Sequence, residues 1–189
     1  MRTAYIIHGW EGSPDEPMLA WLRARLEERG YAVTAPTMPE PEEPKIGPWV
    51  GKLAGVAKPD AEAIFIGHSV GCQAILRYLE TLPAGTKVGK VVLIAPWMAL
   101  DEETIKEEGE KVREVARPWM ETPIDFAKVK ARAASCTAIF SDNDPFVPLS
   151  QKDLFEKELG ATIMVEHGKG HFTEGDKVSE LPAAIKNIV

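Results

Sequence analysis

Short runs of apolar, β-branched and aromatic residues alternate along the chain with longer stretches in which apolar positions recur every three or four residues. The short runs are residues 4–8, 32–36, 63–67, 90–95, 137–141 and 162–166, and most are almost wholly apolar. Strands that are apolar on both faces belong to a parallel sheet covered by helices. The pattern therefore predicts an α/β succession around a mainly parallel central sheet of about six strands, with helices on both faces. Helical patterns occupy 18–29, 47–57, 70–82, 150–159 and 176–189. In the first, Leu19, Leu22 and Leu26 form one stripe facing the core. Gly30 follows, where a helix end favours a left-handed residue.

Two segments interrupt the alternation. Pro36, Pro39, Pro41, Pro44 and Pro48 are interspersed with Glu40, Glu42 and Glu43. Proline blocks both helix and central strand, so this is a surface loop, either a plain connector or the rim of a pocket. Residues 97 to about 129 are more than one crossover helix requires and leave room for an extra element, with 97–125 as the candidate lid segment. Within them 101–117 is heavily charged, with Leu100, Ile105, Val112 and Val115 spaced as one apolar face and Trp97, Met98, Trp119 and Met120 flanking it. That composition suits a short lid over a pocket or an ordinary packed helix with core tryptophans.

Composition narrows the partners. At 189 residues and 44% hydrophobic, positions 1–189 fit one domain with a sizeable core. The net charge of -7, with lysine and arginine interleaved among glutamates, disfavours nucleic acid and anionic membrane surfaces. The richest apolar stretch, 91–100, is short and interrupted by Pro96, so it cannot span a bilayer, and the N-terminal apolar run is too short for a secretion signal. A cytoplasmic protein is expected. Cys72 and Cys136 form no C-x-x-C pair and read as small buried apolar residues.

The chemistry concentrates at Gly67-His68-Ser69-Val70-Gly71, between the apolar run 63–66 and a helical pattern. This G-x-S-x-G, set as strand, turn and helix, is the arrangement that exposes a nucleophilic serine on a strained turn, with glycines relieving the crowding on either side. A serine hydroxyl needs a base and an orienting carboxylate, and on this fold both follow the serine in chain order, acid before histidine. After the run 137–141 stands Ser141-Asp142-Asn143-Asp144-Pro145-Phe146-Val147-Pro148. Asp144 is the preferred acid, three residues before Val147-Pro148, and Asp142 is the rival, with a turn carboxylate as its alternative role. After the last strand stands His167-Gly168-Lys169-Gly170-His171-Phe172, where His171 is the preferred base and His167 the local structural residue. Two backbone N–H donors are needed for an oxyanion: Val70, after the serine, and Trp10 or alternatively Glu11 in the loop 8–13. His8 and His68 read as structural histidines, and neither lies in a metal-binding spacing such as H-E-x-x-H.

With these motifs in order, the chain resembles the small serine hydrolases of the retinoblastoma-binding protein nine type. The resemblance runs from Ile7-His8-Gly9 through the serine turn and Asp142–Pro148 to Gly170-His171-Phe172. It implies a compact α/β-hydrolase fold, cleavage of small acyl esters through a Ser69, His171 and Asp144 triad, and no cofactor. The protein partner in the family's name does not carry over, because neither cysteine sits in a Leu-x-Cys-x-Glu segment. The expected partner is a small acyl substrate, and any protein partner is left open. A thioesterase, amidase or peptidase would use the same triad, and a catalytically silent binding protein would show a broken one.

Overall fold

The computed structural model describes residues 2–186 and 188. Six parallel strands form one sheet in the order β2-β1-β3-β4-β5-β6. They are β1 (Thr3–Ile7), β2 (Ala32–Thr34), β3 (Ile64–His68), β4 (Val88–Ile94), β5 (Ala133–Ser141) and β6 (Thr162–Glu166). The central strands β3 and β4 are nearly wholly buried, as their apolar sequences require, whereas the edge strands β2 and β6 are half-buried.

The helices are α1 (Pro17–Glu27), α2 (Ile46–Val56), α3 (Val70–Thr81), α4 (Glu102–Glu108), α5 (Glu110–Glu121), α6 (Phe126–Arg132), α7 (Gln151–Leu159) and α8 (Pro182–Lys186). The winding runs from β1 outward to β2, then turns back past β1 to β3 and continues outward to β6. Right-handed crossovers in opposite directions place their helices on opposite faces. Accordingly α2, α3, α6 and α7 pack against one another in sequence, while α1 packs with α8. The reversal lies between β1 and β3, and the crevice beyond the carboxyl ends of these strands is where this class of sheet binds ligands.

The expected architecture is present, with four local corrections. The helix α6 was not expected. It starts at an N-cap, Asp125, whose carboxylate accepts from the Lys128 amide, a signal carried by one residue rather than by periodicity. The strand β5 begins at Ala133, four positions earlier than its apolar run, because Val88 and Lys90 of β4 pair with Ala133 and Ser135. The charged stretch is two helices, parted at Gly109, whose φ of 102° ends α4. The last helix begins at Pro182 instead of 176, since 173–176 is closed into a turn by Thr173 and Asp176. Positions 187 and 189 of that expected helix lie outside the described residues. Among the described residues no helix is long and apolar enough to cross a membrane.

Candidate active site

Ser69 occupies the turn between β3 and α3 with φ 52° and ψ -124°, a conformation that costs a non-glycine residue on the order of 1–3 kcal/mol. Its neighbours explain the two glycines. A Cβ on Gly67 would lie 2.7 Å from the Cys72 backbone nitrogen, and one on Gly71 would lie 2.5 Å from the carbonyl oxygens of Ile7 and His8. The turn is therefore packed directly against β1. The helix α3 is buried from Val70 to Leu79, which holds the serine at its N-terminus rigidly.

His171 Nε2 lies 2.9 Å from Ser69 Oγ, and His171 Nδ1 lies 2.8 Å from Asp144 Oδ2. A carboxylate only accepts, so Nδ1 carries the proton and Nε2 is left to accept from the serine hydroxyl. The other Asp144 oxygen accepts from the Phe146 and Val147 amides at 2.9 and 3.0 Å, which seats the buried carboxylate in its own turn. The two loops are laced together residue by residue. Ser141 Oγ accepts from the Lys169 amide, Asn143 Oδ1 from the Gly170 amide, and Asp142 Oδ1 from the Gly168 amide. Asp176 accepts from the His171 amide, and the wholly buried Phe172 anchors the chain behind it.

Asp142 and His167 are thus joined to each other, at 2.6 Å, away from Ser69. The bond to Gly168 and then the one to His167 hold the Asp142 carboxyl below its ordinary value, while Asp142 raises His167 above its own. His8 and His68 are both buried and neutral. His8 Nδ1–H donates to the Gly9 carbonyl and its Nε2 accepts from the Met38 amide, with burial lowering its pKa. Burial lowers His68 further, to about 3, and its Nε2–H donates to the His171 carbonyl at 2.8 Å. The ring of His171 is packed between those of His68 and Phe146, each 5.2 Å away.

Of the two amides weighed in the first loop, Glu11 N–H is committed to the Pro41 carbonyl at 2.8 Å. Trp10 N–H has no hydrogen-bond partner among the described residues, and Trp10 lines the same cleft as Ser69. The proline-rich segment braces this loop, accepting from the Glu11 amide and from the Trp10 indole at Glu42. It does not line the cleft, whose volume is about 250 Å³. Leu100, Ile105 and Val112 from the α4–α5 region and Phe146 form the apolar wall, and Glu11, Glu16 and Glu108 are its carboxylates. Burial raises the Glu16 carboxyl. Cys72 and Cys136 lie outside the cleft lining, with thiols pushed up by burial, Cys136 to about 12.

Sequence reasoning did not single out Glu16, Asn143 or Asp176. Asn143 reaches the Gly170 amide 27 residues away, a contact with no local signal. Asp176 instead bonds Thr173 and the His171 amide, three and five residues back, and Glu16 the Ser13 amide, three back, so that spacing was a signal open to sequence reading.

Residues 4–188 match the model of the serine hydrolase family, and the chain belongs to that family. The YdeN protein of Bacillus subtilis (strain 168), named as a hydrolase, is 31% identical over 183 residues, covering 96% of this chain and 91% of YdeN. Serine hydrolase RBBP9 of Rattus norvegicus is 27% identical over 184 residues, 96% of this chain and 87% of its own. The crystal structure of the B. subtilis ydeN gene product superposes with a TM-score of 0.87 at 25% identity, covering 100% of this chain and 97% of that one.

Proposed function

We propose that this member of the serine hydrolase family cleaves small carboxylic esters, with Ser69 as nucleophile, His171 as general base and acid, and Asp144 as the acid that orients it. The observation that carries the reading is the continuous chain Ser69 Oγ, His171 Nε2, His171 Nδ1, Asp144 Oδ2, with links of 2.9 and 2.8 Å, whose Ser69 and His171 line a cleft. In acylation the hydroxyl proton passes to His171 Nε2 as Oγ bonds to the acyl carbon, and the leaving alkoxide departs with that proton. Water then gives a proton to His171 and attacks the acyl-enzyme, and the carbon–Oγ bond breaks to restore Ser69. The amides of Trp10 and Val70 are the donors for the charge on the acyl oxygen, a role for which Trp10 is free and Glu11 is not.

The cleft favours a short, uncharged acyl group. Its volume of about 250 Å³ falls below the roughly 300–1,000 Å³ of sites for drug-sized ligands, and its carboxylates repel an acyl chain carrying negative charge. In this reading α4 and α5 are the cover that shapes the acyl pocket.

A fluorophosphonate probe tests the nucleophile and a p-nitrophenyl ester series of increasing acyl length tests the substrate. Wild-type protein is expected to be labelled and Ser69→Ala is not, with turnover highest for short acyl chains. Undiminished labelling of Ser69→Ala would sink the assignment. Faster turnover of thioesters or anilides than of matched oxygen esters would move the substrate class.

A further inference from the structure

Directly after β4 the chain places a group that the triad does not use. Trp97 is 1% exposed, and its indole Nε1–H donates to Ser69 Oγ at 3.3 Å. The indoles of Trp10, Trp49 and Trp119 donate instead to backbone carbonyls, those of Glu42, Pro39 and Pro44.

The position of Trp97 is held from several sides. Ala95, two residues before it, has a φ of 48°, a left-handed conformation that a residue with a Cβ adopts only under constraint. Its amide is fixed by the Ile139 carbonyl at 2.8 Å. Gln73, on the helix that carries Ser69, donates from Nε2 to the Trp97 carbonyl at 3.0 Å. The other end of that amide accepts from Arg77, which also donates to the Trp119 and Thr122 carbonyls at the end of α5. Beyond Trp97, the amides of Met98 and Ala99 both donate to Gln151 Oε1.

We propose that Trp97 is a further catalytic residue, whose indole N–H aims the attacking lone pair of Ser69 and steadies the charge on Oγ when the acyl group leaves; this rests on the serine-hydrolase reading above. A hydroxyl oxygen has four tetrahedral directions. Cβ takes one, the O–H directed at His171 takes the second, and the lone pair accepting from Trp97 takes the third. The fourth is left for the acyl carbon. In deacylation the carbon–Oγ bond breaks, its electron pair goes to Oγ, and His171 returns the proton taken from water. The indole keeps its own proton throughout and donates a hydrogen bond to the departing oxygen. Because the indole does not titrate, its contribution is the same at every pH at which His171 and Asp144 function.

The test replaces Trp97 with benzothienylalanine, which keeps the shape of the indole and puts sulfur where the N–H was. The expected result is a fall in kcat of about three- to tenfold, the scale of one neutral hydrogen bond, with KM, melting temperature and the shape of the pH–rate profile unchanged. Fluorophosphonate labelling slows in parallel, and Trp97→Phe falls at least as far. Wild-type kcat in the benzothienyl protein overturns the proposal. So does a fall accompanied by a raised KM or a displaced pH profile, which assigns Trp97 to packing. Ser69→Ala, run alongside, separates the two readings. If it is still labelled, the serine-hydrolase reading fails. If it is unlabelled while the benzothienyl protein matches wild type, only the role of Trp97 fails.

Discussion

Asp144 with His171 and Asp142 with His167 are two Asp–His pairs that bridge the same two loops, at 2.8 and 2.6 Å. Side-chain exposure separates them: 2% and 13% for Asp144 and His171, against 37% and 85% for Asp142 and His167. The more exposed pair has the shorter contact, so distance does not distinguish the pair proposed for catalysis from the surface one. Water and salt screen the outer pair, whereas the inner pair interacts through a medium of lower dielectric constant. The inner pair also has a third member. Ser69 Oγ occupies the far nitrogen of His171, while Asp142 spends its other oxygen on the Gly168 amide. The outer pair shapes the loop, and the inner pair is available for proton transfer.

Asp144→Asn should break the comparison most sharply, lowering kcat by about 10³–10⁴-fold because the asparagine no longer holds the His171 tautomer and charge. Asp142→Asn, the same change two residues away, should stay within about threefold; equal losses in the two variants would erase the distinction drawn here. Between these extremes stands Asn143→Ala. It removes the acceptor for the Gly170 amide immediately before His171, and the expected cost is about tenfold in kcat with KM nearly unchanged. A loss confined to KM would show that Asn143 acts on substrate binding instead.

The smallest effect belongs to the outer pair and is read in stability. His167 is raised above 6.5 by Asp142, so its contribution is complete below that value and is lost as pH rises through the folded-state pKa. Asp142 is lowered from 3.8, first by the Gly168 amide and then by His167, so its contribution is present above 3.8 and is lost as pH falls through its folded-state value. His167→Ala should therefore lower the melting temperature by no more than about 2 °C, and most within the window between these limits. Above the folded-state pKa of His167 the deficit should shrink to what a neutral hydrogen bond contributes, and a deficit that does not change with pH would rule out the ion pair as its source.

The opposite sides of the site differ in how visible they are from the chain alone. The serine turn is local: an apolar strand, five residues and a helix specify it, and Gly67 and Gly71 are required by contacts with Cys72 and β1 that any chain packed this way must make. The alternation of apolar runs likewise carries the parallel sheet. For the acid and the oxyanion donor the sequence prefers Asp144 over Asp142 and Trp10 over Glu11 but keeps each rival open, because residues one or two apart in a loop share their composition and spacing.

The sequence by itself determined the α/β architecture, the serine turn, and the loops from which an acid and a base could come, since these rest on local periodicity and turn chemistry. Only the tertiary structure decided that Asp144 faces His171 while Asp142 turns to His167, that Pro41 takes the Glu11 amide and leaves that of Trp10 free, and that the Trp97 indole reaches Ser69. These outcomes depend on contacts between segments 25 or more residues apart. The register of one loop against another is set by the packing of the whole sheet, and a backbone group's availability is known only when every competing acceptor is in place.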